Sequence, residues 1–116
     1  MARILSVSYD EPLLRTRHLL LEHEGYEVVS SLGFAEGLEQ CKRDNFDLFI
    51  LGHSIRHSDK LQLVETFRHK CRAPIISLRR LDEPPVQGAD YYVEPDPPQL
   101  LKIVATVLRG AARQHG

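Results

Sequence analysis

Few residues of this chain stand in a pattern that could carry chemistry. Asp10 and Glu11 follow the apolar run at residues 4–7, and their carboxylates could hold a hard cation weakly. The same two acids are explained equally well as favourable charges at the start of a helix. His53 and His57 have a spacing that can bind zinc on a helix, but they fall in a predicted loop with no third ligand in sight. We therefore predict no metal site.

Opposite charges at two predicted strand ends form a second candidate set. Arg79 follows the fourth apolar run and Glu94 the fifth, so their side chains could pair across the end of the sheet, or both could point to solvent. Arg79 and Arg80, together with His53, could also receive an anionic ligand. The chain has no glycine-rich phosphate-binding motif and no supported nucleophile–base set, so we predict neither a cofactor nor an enzymatic activity.

Composition restricts the class of protein. The chain has 116 residues, of which 42% are hydrophobic and 27% charged, with a net charge of −1; these values fit one soluble domain, which we expect to span residues 1–116. Lysine and arginine are dispersed, so nucleic acid is not an expected partner. Without a long apolar run or a signal peptide, we expect no membrane association and a cytoplasmic location. Cys41 and Cys71 lack a CxxC spacing and are interpreted as reduced structural thiols.

Apolar runs alternate with helical patterns along the whole chain. The sequence predicts strands at residues 4–7, 26–29, 47–51, 74–78 and 89–93, and helices that start after Asp10, at Phe34, at a cap on Ser58 or Asp59, and at Gln99. Between the fourth and fifth strands, residues 80–87 contain Pro84 and Pro85 and leave no room for a full helix. Such alternation predicts a three-layer α/β/α sandwich around a parallel sheet of order 2-1-3-4-5.

The central strand ends where a side chain would be expected to act. The run Phe46-Asp47-Leu48-Phe49-Ile50-Leu51 is almost wholly apolar, as expected for a strand buried on both faces. In open parallel sheets, functional groups gather just beyond the carboxyl ends of such strands. The residue at this place is Gly52, which has no side chain.

The order and spacing of these runs resemble the receiver domain of two-component response regulators, which has a CheY-like, flavodoxin-like fold. The resemblance covers residues 3 to about 110. It is carried by these stretches: Ile4-Leu5-Ser6-Val7, Glu24-Gly25-Tyr26-Glu27-Val28-Val29, the run that ends at Leu51, Pro74-Ile75-Ile76, Gly88-Ala89-Asp90 with Tyr92, and the last helix.

The resemblance implies five functional positions, and this chain departs from the family at the acceptor, the hydroxyl, the cation and at least one of the two metal ligands. Family members hold Mg²⁺ with two acids after the first strand, accept a phosphoryl group on an aspartate after the third, and carry a Ser or Thr after the fourth and a Lys after the fifth. Without a gap, the spacing from Val7 to Gly25 aligns the acid pair with Ser8 and Tyr9; a slipped register would align it with Tyr9 and Asp10. The vestigial positions are therefore Ser8, Tyr9, Asp10, Gly52, Arg79 and Glu94.

These departures predict a degenerate pseudo-receiver that is not phosphorylated. We expect a protein of two-component or phosphorelay signalling that acts by contact with a protein partner, with a homodimer left open. Tyr92 matches the family's switch aromatic and is interpreted as a packing or interface residue, on a face reshaped by the lost or shortened fourth helix. The alternative is a flavodoxin-like module that binds a small anion or nucleotide.

Overall fold

The computed structural model describes residues 2–70, 72–80 and 82–115, with only the backbone described at residues 111–115. In chain order, the elements are β1 (Arg3–Ser8), α1 (Glu11–His23), β2 (Glu27–Leu32), α2 (Phe34–Arg43), β3 (Leu48–Leu51), α3 (His57–Lys70), β4 (Ile75–Leu78), β5 (Tyr91–Val93) and α4 (Pro97–His115). The helices and strands alternate as the sequence predicts until β4.

All strand pairs of the sheet are parallel, and the strand order is β2-β1-β3-β4-β5. This confirms the predicted topology. Val7 of β1 lies opposite Leu51 of β3, and Leu51 lies opposite Ser77 of β4. Because the register is even, the carboxyl ends of β1, β3 and β4 meet at one edge, with Gly52 directly after the middle strand.

Each face of the sheet is covered by two helices. One apolar cluster joins β1 and β3 to α2 and α3, with Phe49 and Phe67 stacked at a centroid distance of 4.2 Å. The other cluster joins the opposite faces of β1, β3 and β4 to α1 and α4, through residues such as Leu21, Ile50 and Val104. All four residues of β3 are fully buried, as expected for the strand that both clusters share.

Several element boundaries differ from the prediction. β2 continues to Leu32, and β5 begins only at Tyr91. α3 begins at His57, ahead of the predicted cap, so His57 is helical rather than part of the loop. α4 begins at Pro97, because a proline in the first turn needs no helical N–H partner. Cys41 is buried, whereas Cys71 lies outside the described residues.

The connection from β4 to β5 contains no helix among its described residues, 79–80 and 82–90. This confirms that the fourth helix of the family is lost or shortened. Val86, only 1% exposed, fills the space over the α3 side of the core, and its carbonyl accepts a hydrogen bond from the Tyr92 hydroxyl. Arg68 donates to the Gly88 carbonyl at 2.9 Å and forms an ion pair with Asp90. The segment is therefore fastened at several points despite its irregular backbone.

Candidate functional site

The end of β3 is occupied by a guanidinium group from α1. A Cβ built on Gly52 would lie 3.2 Å from Arg17 Nη2, 3.3 Å from Arg17 Nη1 and 3.2 Å from the Val7 carbonyl oxygen. The Gly52 N–H donates to that same carbonyl at 2.9 Å. Arg17 therefore fills the space into which a side chain at position 52 would project.

Arg17 is buried as a cation with neutral partners. Only 6% of the residue is exposed, its Nε donates to Ser6 Oγ at 2.8 Å, and its Nη2 donates to the Val7 carbonyl at 3.1 Å. No ion pair joins it to an acid in the described part of the chain. Burial lowers the pKa of the Arg17 guanidinium to about 10, because no nearby charge compensates for the lost hydration.

The sequence prediction did not single out Arg17, although its spacing from the apolar residues of α1 could have indicated that it is buried. α1 buries Leu14, Arg17 and Leu21, which recur at the helical spacing of one inward face. An arginine at such a position is a charge directed at the sheet, and its long stem brings the guanidinium to the strand ends.

The residues after β1 are engaged in local hydrogen bonds. Ser8 Oγ lies 3.0 Å from Ser54 Oγ and accepts from the Asp10 N–H at 3.1 Å, and Ser54 Oγ also accepts from the Tyr9 N–H at 3.0 Å. Asp10 is the N-cap of α1, as predicted, and its Oδ1 accepts from the Leu13 N–H at 3.1 Å. These groups tie the β1 loop to the loop after β3. The described residues contain no group of three or more metal-ligating side chains.

Tyr9 connects the same loop to α3. Its hydroxyl donates to Asp59 Oδ2 at 2.7 Å. Burial, together with the hydrogen bond to Asp59, raises the pKa of the Tyr9 phenol, so the group stays protonated. A position that the resemblance aligns with a metal-binding acid thus carries a neutral hydrogen-bond donor.

A second buried cation lies at the end of β4. Lys60 of α3 is 5% exposed, and its Nζ donates to the Leu78 carbonyl at the end of β4, at 2.7 Å. Burial lowers the pKa of Lys60 to about 8; the charge of Glu83 opposes this shift, and those of Arg17 and Arg79 reinforce it. The sequence prediction missed Lys60 too, although it shares an inward helical face with Leu63, Val64 and Phe67.

Of the two arrangements that the sequence leaves open for Arg79 and Glu94, the structure does not describe the ion pair. Both residues line one surface pocket beside α4, together with Tyr92 and Lys102, but the described residues show no ion pair between them. Arg79 Nη1 instead donates to the Glu83 carbonyl and, at 3.4 Å, to the Arg80 carbonyl. The irregular β4–β5 segment thus supplies backbone oxygens as the hydrogen-bond partners of Arg79.

The loop after Gly52 adds one more titratable group. His53 is partly buried, and its burial, followed by the positive charge of Arg80, lowers the pKa of the imidazole. Glu83 acts in the opposite direction, while Arg17 and Lys60 act in the same direction as Arg80. The charges that act on His53 therefore come from three cations and one acid.

Comparison with known proteins places this arrangement in context. No protein-family model matches the chain. The response regulator ArlR of Staphylococcus epidermidis is 32% identical over 117 residues, which cover 94% of this chain and 53% of the relative. The chain spans about half the length of the curated relatives that it matches.

Solved receiver structures share the fold over almost the whole chain. A CheY-like receiver domain protein from Methanospirillum hungatei superposes with a TM-score of 0.85 at 24% identity, covering 98% of both chains. The structure of the histidine kinase ThkA in complex with the response regulator TrrA, a Thermotoga maritima protein, gives a TM-score of 0.79 at 27% identity, covering 93% of this chain and 99% of that chain. The chain is therefore similar in sequence to response regulators and shares its fold with solved receiver domains.

Proposed function

We propose that this chain is an atypical receiver domain of two-component signalling that is not phosphorylated and acts through contact with a protein partner. The observation that carries the proposal is the guanidinium of Arg17 within 3.2 Å of the place where a Cβ at Gly52 would lie. Phosphoryl transfer to a receiver needs a carboxylate nucleophile, and a glycine whose side-chain space holds a cation offers none.

The neighbouring positions support the same proposal. Mg²⁺ in a phosphoryl-transfer site is held by carboxylate oxygens. Ser8 and Tyr9 supply hydroxyls that are already hydrogen-bonded, and the Asp10 carboxylate caps α1. With no acceptor and no pair of acids for the cation, the site lacks both components of the reaction.

The proposal requires that a protein partner bind this chain. TrrA is a response regulator solved in complex with a histidine kinase, and we place our chain in the same class of contact, as a single receiver-like domain in the cytoplasm. The structure describes no helix that is long and apolar enough to cross a membrane. Tyr91 and Tyr92 of the edge strand β5 are 38% and 41% exposed and stand beside the reshaped β4–β5 segment. We propose that this face makes the contact.

The test of the chemistry is incubation with acetyl phosphate and Mg²⁺, followed by intact-protein mass spectrometry. The wild-type chain should show no added phosphoryl group, while a receiver that has its acceptor aspartate is labelled in parallel. Gly52→Asp should also stay unlabelled, because the new carboxylate would lie against Arg17 and the acids for Mg²⁺ would still be absent. A phosphoryl adduct on an aspartate of the wild-type chain would overturn the proposal.

The test of the contact compares two surface variants in pull-downs from the native host. Tyr91→Ser should reduce recovery of the signalling partner, whereas Leu19→Ser, which changes an apolar residue 60% exposed on α1, should not. Recovery should not depend on acetyl phosphate. Equal recovery by both variants would place the contact elsewhere, and sedimentation of the purified chain would show whether the partner is a second copy.

A further inference from the structure

We propose that Arg17 and Lys60 form a metal-free site that binds a phosphate-class oxyanion non-covalently at the carboxyl end of β3. The proposal deepens the proposed function and rests on it in one respect: position 52 carries no covalent acceptor. The anion would bind through cations supplied by α1 and α3, and no bond to phosphorus would form or break.

The first argument is charge balance. Arg17 and Lys60 are 6% and 5% exposed, yet neither forms an ion pair in the described part of the chain. The ion pairs found there involve cations with more exposed side chains, namely Arg3, Arg15, His18 and Arg68. A buried cation without a counter-charge is unfavourable, and an anion bound between two of them relieves both.

The second argument is convergence. Arg17 Nη2 is held at the Val7 carbonyl of β1, and Lys60 Nζ is held at the Leu78 carbonyl of β4. These strands flank β3 on its two sides, so their ends are about 10 Å apart, which is two strand spacings. Gly52 lies between them and adds no side chain. The two cations are close enough for the charge of Arg17 to act on Lys60.

The third argument is the donor capacity that remains. The hydrogen bonds of Arg17 use Nε and Nη2, whereas Nη1 makes none with the described residues. Lys60 uses one N–H of its ammonium group on Leu78. The remaining N–H groups suit an oxyanion, because a guanidinium can present two parallel donors and an ammonium adds a point charge.

The surrounding charges strengthen the site. Among the described residues, the charge of Arg79 acts on Lys60, the charge of Arg80 acts on its neighbour His53, and Glu83 acts on both as the one acid. A region in which charges of one sign predominate concentrates counter-ions of the other sign. A dianion such as hydrogen phosphate gains more from this field than chloride does.

The decisive experiment is a titration with inorganic phosphate followed by ³¹P NMR and by the urea unfolding midpoint, with sodium chloride at matched ionic strength as reference. The wild-type midpoint should rise with phosphate concentration more steeply than that of Lys60→Met, because a ligand of the folded state adds to the general stabilisation that phosphate gives any folded protein. Arg17→Met and Lys60→Met should each weaken phosphate binding by about tenfold or more through the loss of charge-assisted hydrogen bonds.

Two further variants keep the result interpretable. Arg15→Met removes an exposed cation of α1 that pairs with Glu11, and it should bind phosphate as the wild type does. Arg17→Lys keeps the charge without the planar fork and should bind more weakly than the wild type, which also covers the case in which Arg17→Met fails to fold.

The outcomes separate this inference from the proposed function. Equal midpoint shifts in phosphate and chloride, or unchanged phosphate affinity in both Lys60→Met and Arg17→Lys, would overturn the anion site and leave the proposed function intact. A phosphoryl adduct that survives denaturation would overturn the proposed function. Phosphate released on dialysis, with binding that follows Arg17 and Lys60, supports both.

Discussion

Burial of Lys60 predicts that this protein becomes more stable between neutral and mildly alkaline pH. The pKa of Lys60 is about 8 in the folded chain and 10.5 when unperturbed. Between these values the unfolded chain binds more protons than the folded chain, so the free energy of unfolding rises with pH. A lysine that gains an acidic partner on folding would have the opposite effect, since its raised pKa would make the free energy of unfolding fall with pH.

The magnitude follows from the shift of the pKa. A decrease from 10.5 to about 8 corresponds to about 3 kcal/mol of unfavourable free energy at neutral pH. About 2 kcal/mol of this is recovered between roughly pH 7 and pH 9.5, as the ammonium loses its proton in the folded state first. The measurement stops at about pH 9.5. At higher pH, Tyr9 would ionise in the unfolded chain but not in the folded chain, because its pKa is raised on folding, and this would lower the free energy of unfolding.

The assay is urea unfolding of the wild type and of Lys60→Met at about pH 7 and about pH 9.5. The methionine keeps the length of the side chain and removes the titration, so the rise of about 2 kcal/mol in the free energy of unfolding should disappear from the variant. Lys42→Met, which changes an exposed lysine of α2, should keep the wild-type pH dependence.

The reasoning is refuted if Lys60→Met and the wild type show the same change with pH. Lys60 would then be solvated in the folded protein, in conflict with its burial and with its hydrogen bond to Leu78. Saturating phosphate should also flatten the wild-type pH dependence, because an anion beside the ammonium raises the pKa of Lys60 again.

Three further predictions concern stability, each measured by urea unfolding at neutral pH. Tyr9→Phe should lower the free energy of unfolding by about 1.5–3 kcal/mol, because it removes a hydrogen bond to the Asp59 carboxylate; no change would mean that the bond is not maintained in solution. Phe67→Ala should cost about 3–5 kcal/mol, because the ring is fully buried, and a loss below 1 kcal/mol would contradict the described core. Gly88→Ala should destabilise by about 1–3 kcal/mol at its φ of +95°, whereas Gly110→Ala, in open space on α4, should stabilise by about 1 kcal/mol.

The fold could be predicted because its determinants are local and periodic. Apolar runs such as residues 47–51 indicate strands buried on both faces, and the helical stripes between them require a parallel sheet with right-handed crossovers. Pro84 and Pro85 excluded a full helix before β5, since proline restricts both its own backbone and that of the residue before it. Boundaries such as His57 and Leu32 shifted because capping and strand pairing depend on neighbours that periodicity does not show.

The candidate site could be predicted only in part. The absence of a side chain at Gly52 is visible in the sequence. The group that occupies the space beside it is not, because Arg17 lies on another element and reaches the strand end through a long flexible stem. The sequence left open whether Arg79 pairs with Glu94, and the structure gives Arg79 backbone oxygens as partners.

By itself, the sequence determined the sheet order, the missing helix and the loss of a carboxylate at the end of β3, since all three depend on residue type and spacing along the chain. Only the tertiary structure decided that Arg17 and Lys60, on two different helices, are buried at the ends of β1 and β4 without an ion pair in the described part of the chain. The physical reason is that charge balance in a buried site is a property of distances between elements, and a linear pattern does not contain those distances.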